Sequence, residues 1–345
     1  MRCVSRCLMA VGLSIMTLSV VTAEDDQVFL IRGGVVRGTI STVSQTEVTV
    51  NSSGQTQNVS VAEIRLVSFG DEPVGLREGR SRAISGKFAQ AQTDLQRVDA
   101  SSVSKPLIKS DLSFYLALVD ARTALTTGGD KAAASQSMLT FVRSAPKSHH
   151  FFEAAEVLGD LAVAQGDHAS AARYYGSIVS KAPWPEFKLR ASLLEARALI
   201  DQGNVADAKT KYESMARLTA PSSEAKRLQL FAKIGRARCI AETEDQQAGI
   251  EAIQKIIQDY DSTDIELFGR AYNALGDCYR VAEKPKDALM AYLHVDVLFY
   301  AEPTVHAESL YWISQLWQQI GKTDRAAAAK NLLTERYGGS RWASP

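Results

Sequence analysis

An excess of charge of either sign is missing from this chain, in which 39 lysines and arginines stand against 39 aspartates and glutamates. So even a balance leaves no basic field to gather phosphates, and nucleic acid is not expected as a partner. Cysteine is scarce as well. Of the four, Cys3 and Cys7 fall in the first 23 residues, and Cys239 and Cys278 alone cannot frame a chain of 345 residues. They are expected as buried free thiols in place of a disulfide scaffold. Long apolar runs are absent too: the Leu8 to Val21 stretch is short of the ~20 residues that cross a bilayer, and nothing after it approaches that length. No phosphate-binding glycine loop, serine elbow or histidine-glutamate zinc motif occurs. His149-His150 sits in a loop with no acid or cysteine at ligand spacing, and His168, His294 and His306 are isolated. The expectation is therefore no metal, no cofactor and no catalytic residue: a chain that is not an enzyme.

What is present begins with a leader. Arg2 and Arg6 precede the apolar run, and Val21-Thr22-Ala23 precedes the acidic Glu24-Asp25-Asp26. This is the layout of a secretory signal over residues 1–23, cut after Ala23. Losing Arg2 and Arg6 takes the basic side chains from 39 to 37 against 39 acidic ones. The chain is expected to be secreted, into a periplasm, without membrane insertion after cleavage.

Residues 24–72 alternate and are rich in β-branched side chains. Val28-Phe29-Leu30-Ile31, Val35 to Ile40, Glu47 to Asn51, Gln57 to Ser60 and Ile64 to Phe69 read as five short strands, with turns at Gly33-Gly34 and Ser52-Ser53-Gly54. A sheet this small closes its edges by curling, and Gly38 inside a strand suits a sharp bend. The expectation is a small SH3-like or Sm-like β-barrel that leans on the first helix after it.

From residue 73 to 338 the spacing is helical and repeats itself. Gly159 is followed twelve residues later by Ala171 and then by Tyr175; Gly276, Ala288 and Tyr292 keep the same intervals, with Tyr279 three after the glycine; Ala208 and Tyr212 form a third pair. Gly86, Gly129, Gly166, Gly203, Glu283 and Gly321, with a position near Glu244, mark inter-helix turns roughly forty residues apart. Pro146, Pro183 and Pro221 fall in the exits. A small residue crossed by an alanine and wedged by a ring is the pattern of two closely packed helices. On these residues the chain resembles the tetratricopeptide repeat family, and its longer period with the closing Leu332 to Ser340 resembles exported cell-envelope members such as the Tol-Pal accessory protein and the helical lipoprotein of outer-membrane assembly. The resemblance implies a mainly α fold, a right-handed solenoid of about seven hairpins ending in a tail at 339–345, whose function is to scaffold other proteins. The first, fifth and last hairpins depart from the pattern: the first lacks the ring, Ala237 and Ile253 replace the glycine and ring of the fifth, and Ser314 and Lys330 those of the last.

In such an array the first helix of each pair lines the concave wall. One residue after the small position stand Arg122, Asp160, Arg197, Arg238, Asp277 and Gln315. Arg238 with Asp277, and Asp160 with Arg197, are placed to interact across one step, and Arg197 with Arg238 to hold an acidic group of a partner. Arg270, Asn273 and Arg280 belong to the same wall. The alternative is a cell-wall or polysaccharide binder using Trp184, Trp312 and Trp317 as stacking surfaces.

Overall fold

The computed structural model describes residues 25–343, so the expected leader with Cys3 and Cys7 lies outside the described residues. Five strands open the described chain: β1 (Asp26–Leu30), β2 (Val35–Val43), β3 (Glu47–Ser52), β4 (Gln55–Ser60) and β5 (Ile64–Ser68). They form one antiparallel sheet in the order β4-β3-β2-β1-β5. The sheet is open, not the closed barrel expected, because β4 and β5 are its two edges and do not pair. The reason is what covers its apolar face. Val28, Val48, Val50, Val59 and Val67 are buried on that face and share a single core with Leu76, Leu95, Leu112 and Phe114 of the helices that follow. A barrel buries its inner face by folding back on itself; here helices do it, and the polar Gln55-Thr56-Gln57-Asn58 run blunts the outer edge. Gly38 does serve a close approach, since a Cβ there would collide with the Asn51 carbonyl of β3.

Fourteen helices follow among the described residues, paired as seven hairpins: α1 (Val74–Ile84) with α2 (Phe88–Gln96), α3 (Pro106–Thr126) with α4 (Lys131–Ser144), α5 (Phe151–Ala164) with α6 (His168–Lys181), α7 (Pro185–Asp201) with α8 (Val205–Ala216), α9 (Ser223–Thr243) with α10 (Gln246–Asp259), α11 (Ile265–Val281) with α12 (Pro285–Leu298), and α13 (Pro303–Gln319) with α14 (Thr323–Tyr337). Local chemistry sets their starts. Asp130, Asp167, Ser222, Asp245 and Asp264 each accept a backbone N–H of the first turn, and Pro106, Pro185, Pro285 and Pro303 occupy the first helical position, where no N–H is needed. Pro146, Pro183 and Pro221 lie in the connections between hairpins. None of the helices among the described residues is long and apolar enough to cross a membrane.

The crossings follow the intervals in the sequence. Ala171, Ala208 and Ala288 are fully buried. A Cβ on Gly276 would lie 2.6 Å from the ring of Tyr292, and one on Gly159 would strike the ring of Tyr175. The same rings also reach the following hairpin, Tyr175 beside Ala198 and Tyr292 beside Ile313 and Leu316. In the fifth hairpin the small residues have changed places: Ala237 lies on α9, and the glycine is Gly249 on α10, where a Cβ would come within 2.6 Å of the Ala237 carbonyl. Cys239 and Cys278 are both free and buried, and burial raises each thiol to about 12.

Candidate functional site

Two cavities lie along the inner wall. One is a groove of about 490 Å³ walled by α5, α7, α9, α11 and α13. Its electrostatics follow from a variation within the repeat. In the third hairpin the residue after the glycine is Asp160, which accepts a hydrogen bond from the Tyr175 hydroxyl at 2.9 Å. In the sixth it is Asp277, which accepts from Tyr292 at 2.6 Å. Both pairs are separated by 15 residues. In the fourth hairpin the same interval joins Tyr212 to Arg197, so a cation stands where its neighbours carry a carboxylate. Tyr212 also packs differently: with Ala196 in the glycine's place, its ring lies against Gly235 of the next hairpin.

The groove's other cations are occupied. Arg238 pairs with Asp277 at 2.9 Å, as expected. Asp160 pairs with Arg122 at 3.3 Å and not with Arg197, which corrects the second expected pair. Arg190 holds Glu156 at 2.6 Å, Arg227 holds Asp264 and Glu266 at 2.5 and 2.8 Å, and Arg270 holds Glu266 at 2.9 Å. Arg280 lies 3.0 Å from Asp277 and over the ring of Trp312, away from the groove lining. Asp277 therefore accepts hydrogen bonds from Tyr292 and Arg280 and is ion-paired with Arg238. Asn273 is buried and donates to the Val305 carbonyl at 2.9 Å and to Glu308 at 3.1 Å, so it fixes α13 and is not exposed wall. Gln315 is exposed and does not line the groove. Among the described groove arginines, Arg197 alone has no carboxylate partner. Burial, and then the like charge of Arg270, lowers its guanidinium to about 10.

The end of the chain closes this groove. The Gly339 amide donates to the Thr126 carbonyl of α3 at 3.1 Å, Arg341 pairs with Asp201 at the end of α7, and Trp342 packs on Tyr311 and Trp312. Within the expected tail, residues 339–343 form turns that join the last hairpin to the second and fourth. Of the tryptophans proposed as sugar platforms, Trp184 is wedged edge-on against Phe152 and tilted against Phe187, and Trp312 and Trp317 carry Arg280 and Arg325 on their faces.

The second cavity, about 470 Å³, lies between β5, the turn after α1, α3 and the start of α5, and shares Arg122 with the groove. At its base runs a chain of buried charges. Glu72 pairs with Arg80, Arg80 with Asp111 at 2.8 Å, and Asp111 accepts from or shares a proton with His150 Nε2 at 2.9 Å. His150 stacks on Phe114, with ring centres 3.7 Å apart. His149 and His150, expected to be ordinary loop residues without an acid nearby, are brought by the fold to Asp111, 38 and 39 residues upstream; one donor atom from each of the three lies within 4.8 Å of the others.

No model of a known protein family and no curated protein matches the sequence. Solved structures do match in shape. A tetratricopeptide repeat protein from Parabacteroides merdae superposes with a TM-score of 0.52 at 16% identity, covering 76% of this chain and 91% of that one. The fold is a tetratricopeptide-repeat solenoid. The apo form of the quorum sensor NprR from B. thuringiensis matches at a TM-score of 0.50 and 9% identity over 75% of this chain and 85% of that one.

In that solenoid, the repeat residues Gly159, Ala171, Tyr175, Ala208, Tyr212, Gly276, Ala288 and Tyr292 build the crossings, and Tyr279 is half-buried and accepts from Gln254 at 3.1 Å. Sequence reasoning missed the hydroxyl bonds of Tyr175 and Tyr292. Their signal was available: a Gly-Asp dipeptide 15 residues before each tyrosine, replaced by Ala196-Arg197 before Tyr212. It missed Arg80 and Asp111 because nothing local distinguishes a buried arginine or aspartate inside an amphipathic helix.

Proposed function

We propose that this chain is an exported, non-enzymatic adaptor of the cell envelope whose groove holds a segment of another protein through an anionic group set on Arg197. The observation that carries the site is the substitution inside the repeat. Two hairpins satisfy their tyrosine hydroxyl with an aspartate of their own; the fourth supplies Arg197 and Tyr212 and no carboxylate. A carboxylate from a partner completes the arrangement, accepting from the guanidinium and from the hydroxyl. Such charge-assisted bonds are strong in a partly desolvated groove. The other groove arginines are paired internally, so Arg197 is the cation left for a partner's anion. Export rests on the Leu8 to Val21 run and Ala23, and the intact mass of the protein recovered from the periplasm tests it, loss of residues 1–23 being the expected result.

The groove is tested by selecting binders from a random peptide library on the purified chain and measuring them by fluorescence anisotropy. Selected peptides are expected to carry an acidic side chain or a free C-terminal carboxylate. Arg197→Ala is expected to weaken them about tenfold or more, and Arg197→Glu more again. Unchanged affinity in both variants would remove Arg197 from the site.

A further inference from the structure

We propose that Asp111, His149 and His150 bind one divalent first-row transition metal ion of the zinc type, at the base of the smaller cavity. The site is separate from the groove and does not depend on its assignment. Three donors meet there, an Asp111 oxygen and one ring nitrogen from each histidine, all within 4.8 Å of one another. An ion about 2.1 Å from two ligands holds them roughly 3.0 to 3.4 Å apart. Asp111 Oδ1 and His150 Nε2, at 2.9 Å, are already near that spacing. His149 must close the remainder, and it has little to lose in doing so, because its Nε2 is buried without a hydrogen-bond partner.

The surroundings are those of a supported metal ligand set. Arg80 donates to the other oxygen of Asp111 at 2.8 Å, which fixes the carboxylate and leaves Oδ1 directed at the histidines. The Glu153 carboxylate stands 3.7 Å from His150 Nδ1, on the far side of the ring from Asp111, where an acceptor orients a ligating imidazole. The charge count agrees. Glu72 and Arg80 cancel one another, leaving Asp111 and Glu153 to offset two positive charges. Two imidazoles in a set of three select a borderline transition ion over calcium or magnesium, which prefer oxygen alone. The cavity beside His149, His150 and Glu153 gives solvent access, so water fills the remaining coordination position. On binding, the ion takes the place of the proton shared between His150 Nε2 and Asp111, and that proton passes to solvent.

The full chain, purified without a histidine tag, is titrated with zinc by calorimetry and with cobalt by visible absorption. One ion per chain is expected, with proton release that scales with the buffer's ionisation heat. His149→Ala should weaken zinc about tenfold or more while leaving far-ultraviolet circular dichroism at the parent's value, since His149 makes no hydrogen bond in the fold. His149→Gln, which keeps the bulk, serves if the alanine variant is unstable. Glu153→Gln should weaken zinc less, and His168→Ala should leave it unchanged. Parent-like zinc affinity in both His149 variants, or no binding by the parent at micromolar zinc, overturns the assignment.

Discussion

The ring of Tyr175 fills the space that any side chain on Gly159 would need. Gly159→Ala must therefore part α5 from α6 or displace the ring, at a cost of about 1–3 kcal/mol. Gly176, on α6 of the same hairpin, has nothing within 4 Å of the corresponding position. Gly176→Ala should instead gain about 0.5–1 kcal/mol from helix propensity. Urea denaturation followed by circular dichroism would resolve the two, and the same sign for both would contradict the crossing.

Glu283 holds the left-handed conformation, φ 57°, at the turn where Gly86, Gly166, Gly203 and Gly321 serve their own hairpins. A side chain with a Cβ is strained there. Glu283→Gly is expected to raise stability by about 0.5–1 kcal/mol, seen as a higher midpoint in the same titration.

Arg80 is almost fully buried between Glu72 and Asp111. Replacing it with methionine leaves two carboxylates buried without their cation, and a loss of about 3–5 kcal/mol is expected. Arg190→Met removes the pair to Glu156 from an arginine whose side chain is 62% exposed, and should cost under about 1 kcal/mol. A thermal melt in which the two variants fall together would deny the buried chain its structural part.

Asp160 lies deep enough that burial, and then the negative charge of Glu156, raise its carboxyl to about 6 against the pull of Arg122. A raised carboxyl means that the folded chain binds the proton more tightly than the unfolded one. The contribution of this group to stability is therefore greatest below about pH 4 and declines as pH rises through about 6. Asp160→Asn keeps an acceptor for Tyr175 and removes the titration. The stability of the variant relative to the parent should grow by about 1–3 kcal/mol between pH 4 and pH 7, and a difference independent of pH would refute the shift.

The hairpins were legible because close packing leaves a periodic mark: only glycine or alanine fits under a ring, so Gly159 with Tyr175 and Gly276 with Tyr292 announce themselves. Where packing admits two solutions the mark blurs. In the fifth hairpin Ala237 and Gly249 exchange places across one crossing, and a search for glycine on the first helix passes over them. The sheet's strands were readable from alternation, but its openness was not, since it depends on Leu76 and Leu95 arriving from outside to cover the valines. In the groove, the wall residues were readable by their offset, yet which of them had spare hydrogen-bonding capacity was not. The Asn273 amide N–H and Asp277 are engaged by partners from other helices, 32 to 35 residues away for Asn273, Arg270 is held by Glu266 one turn before it on α11, and only three dimensions show that Arg197 is left without a carboxylate. Asp111 and His150 were separated by too many residues for any spacing rule to join them.

The turn at 338–342 alters the mechanics of the whole array. A stack whose members touch only their neighbours melts like a zipper from either end, each hairpin with its own stability. Here Arg341 meets Asp201 across 140 residues of sequence, and Gly339 meets Thr126. These contacts tie the last hairpin to the second and fourth, so fraying of α14 must break contacts that a stack of nearest neighbours would not have. Residues that belong to no repeat thus add long-range contacts to an array otherwise built from neighbours.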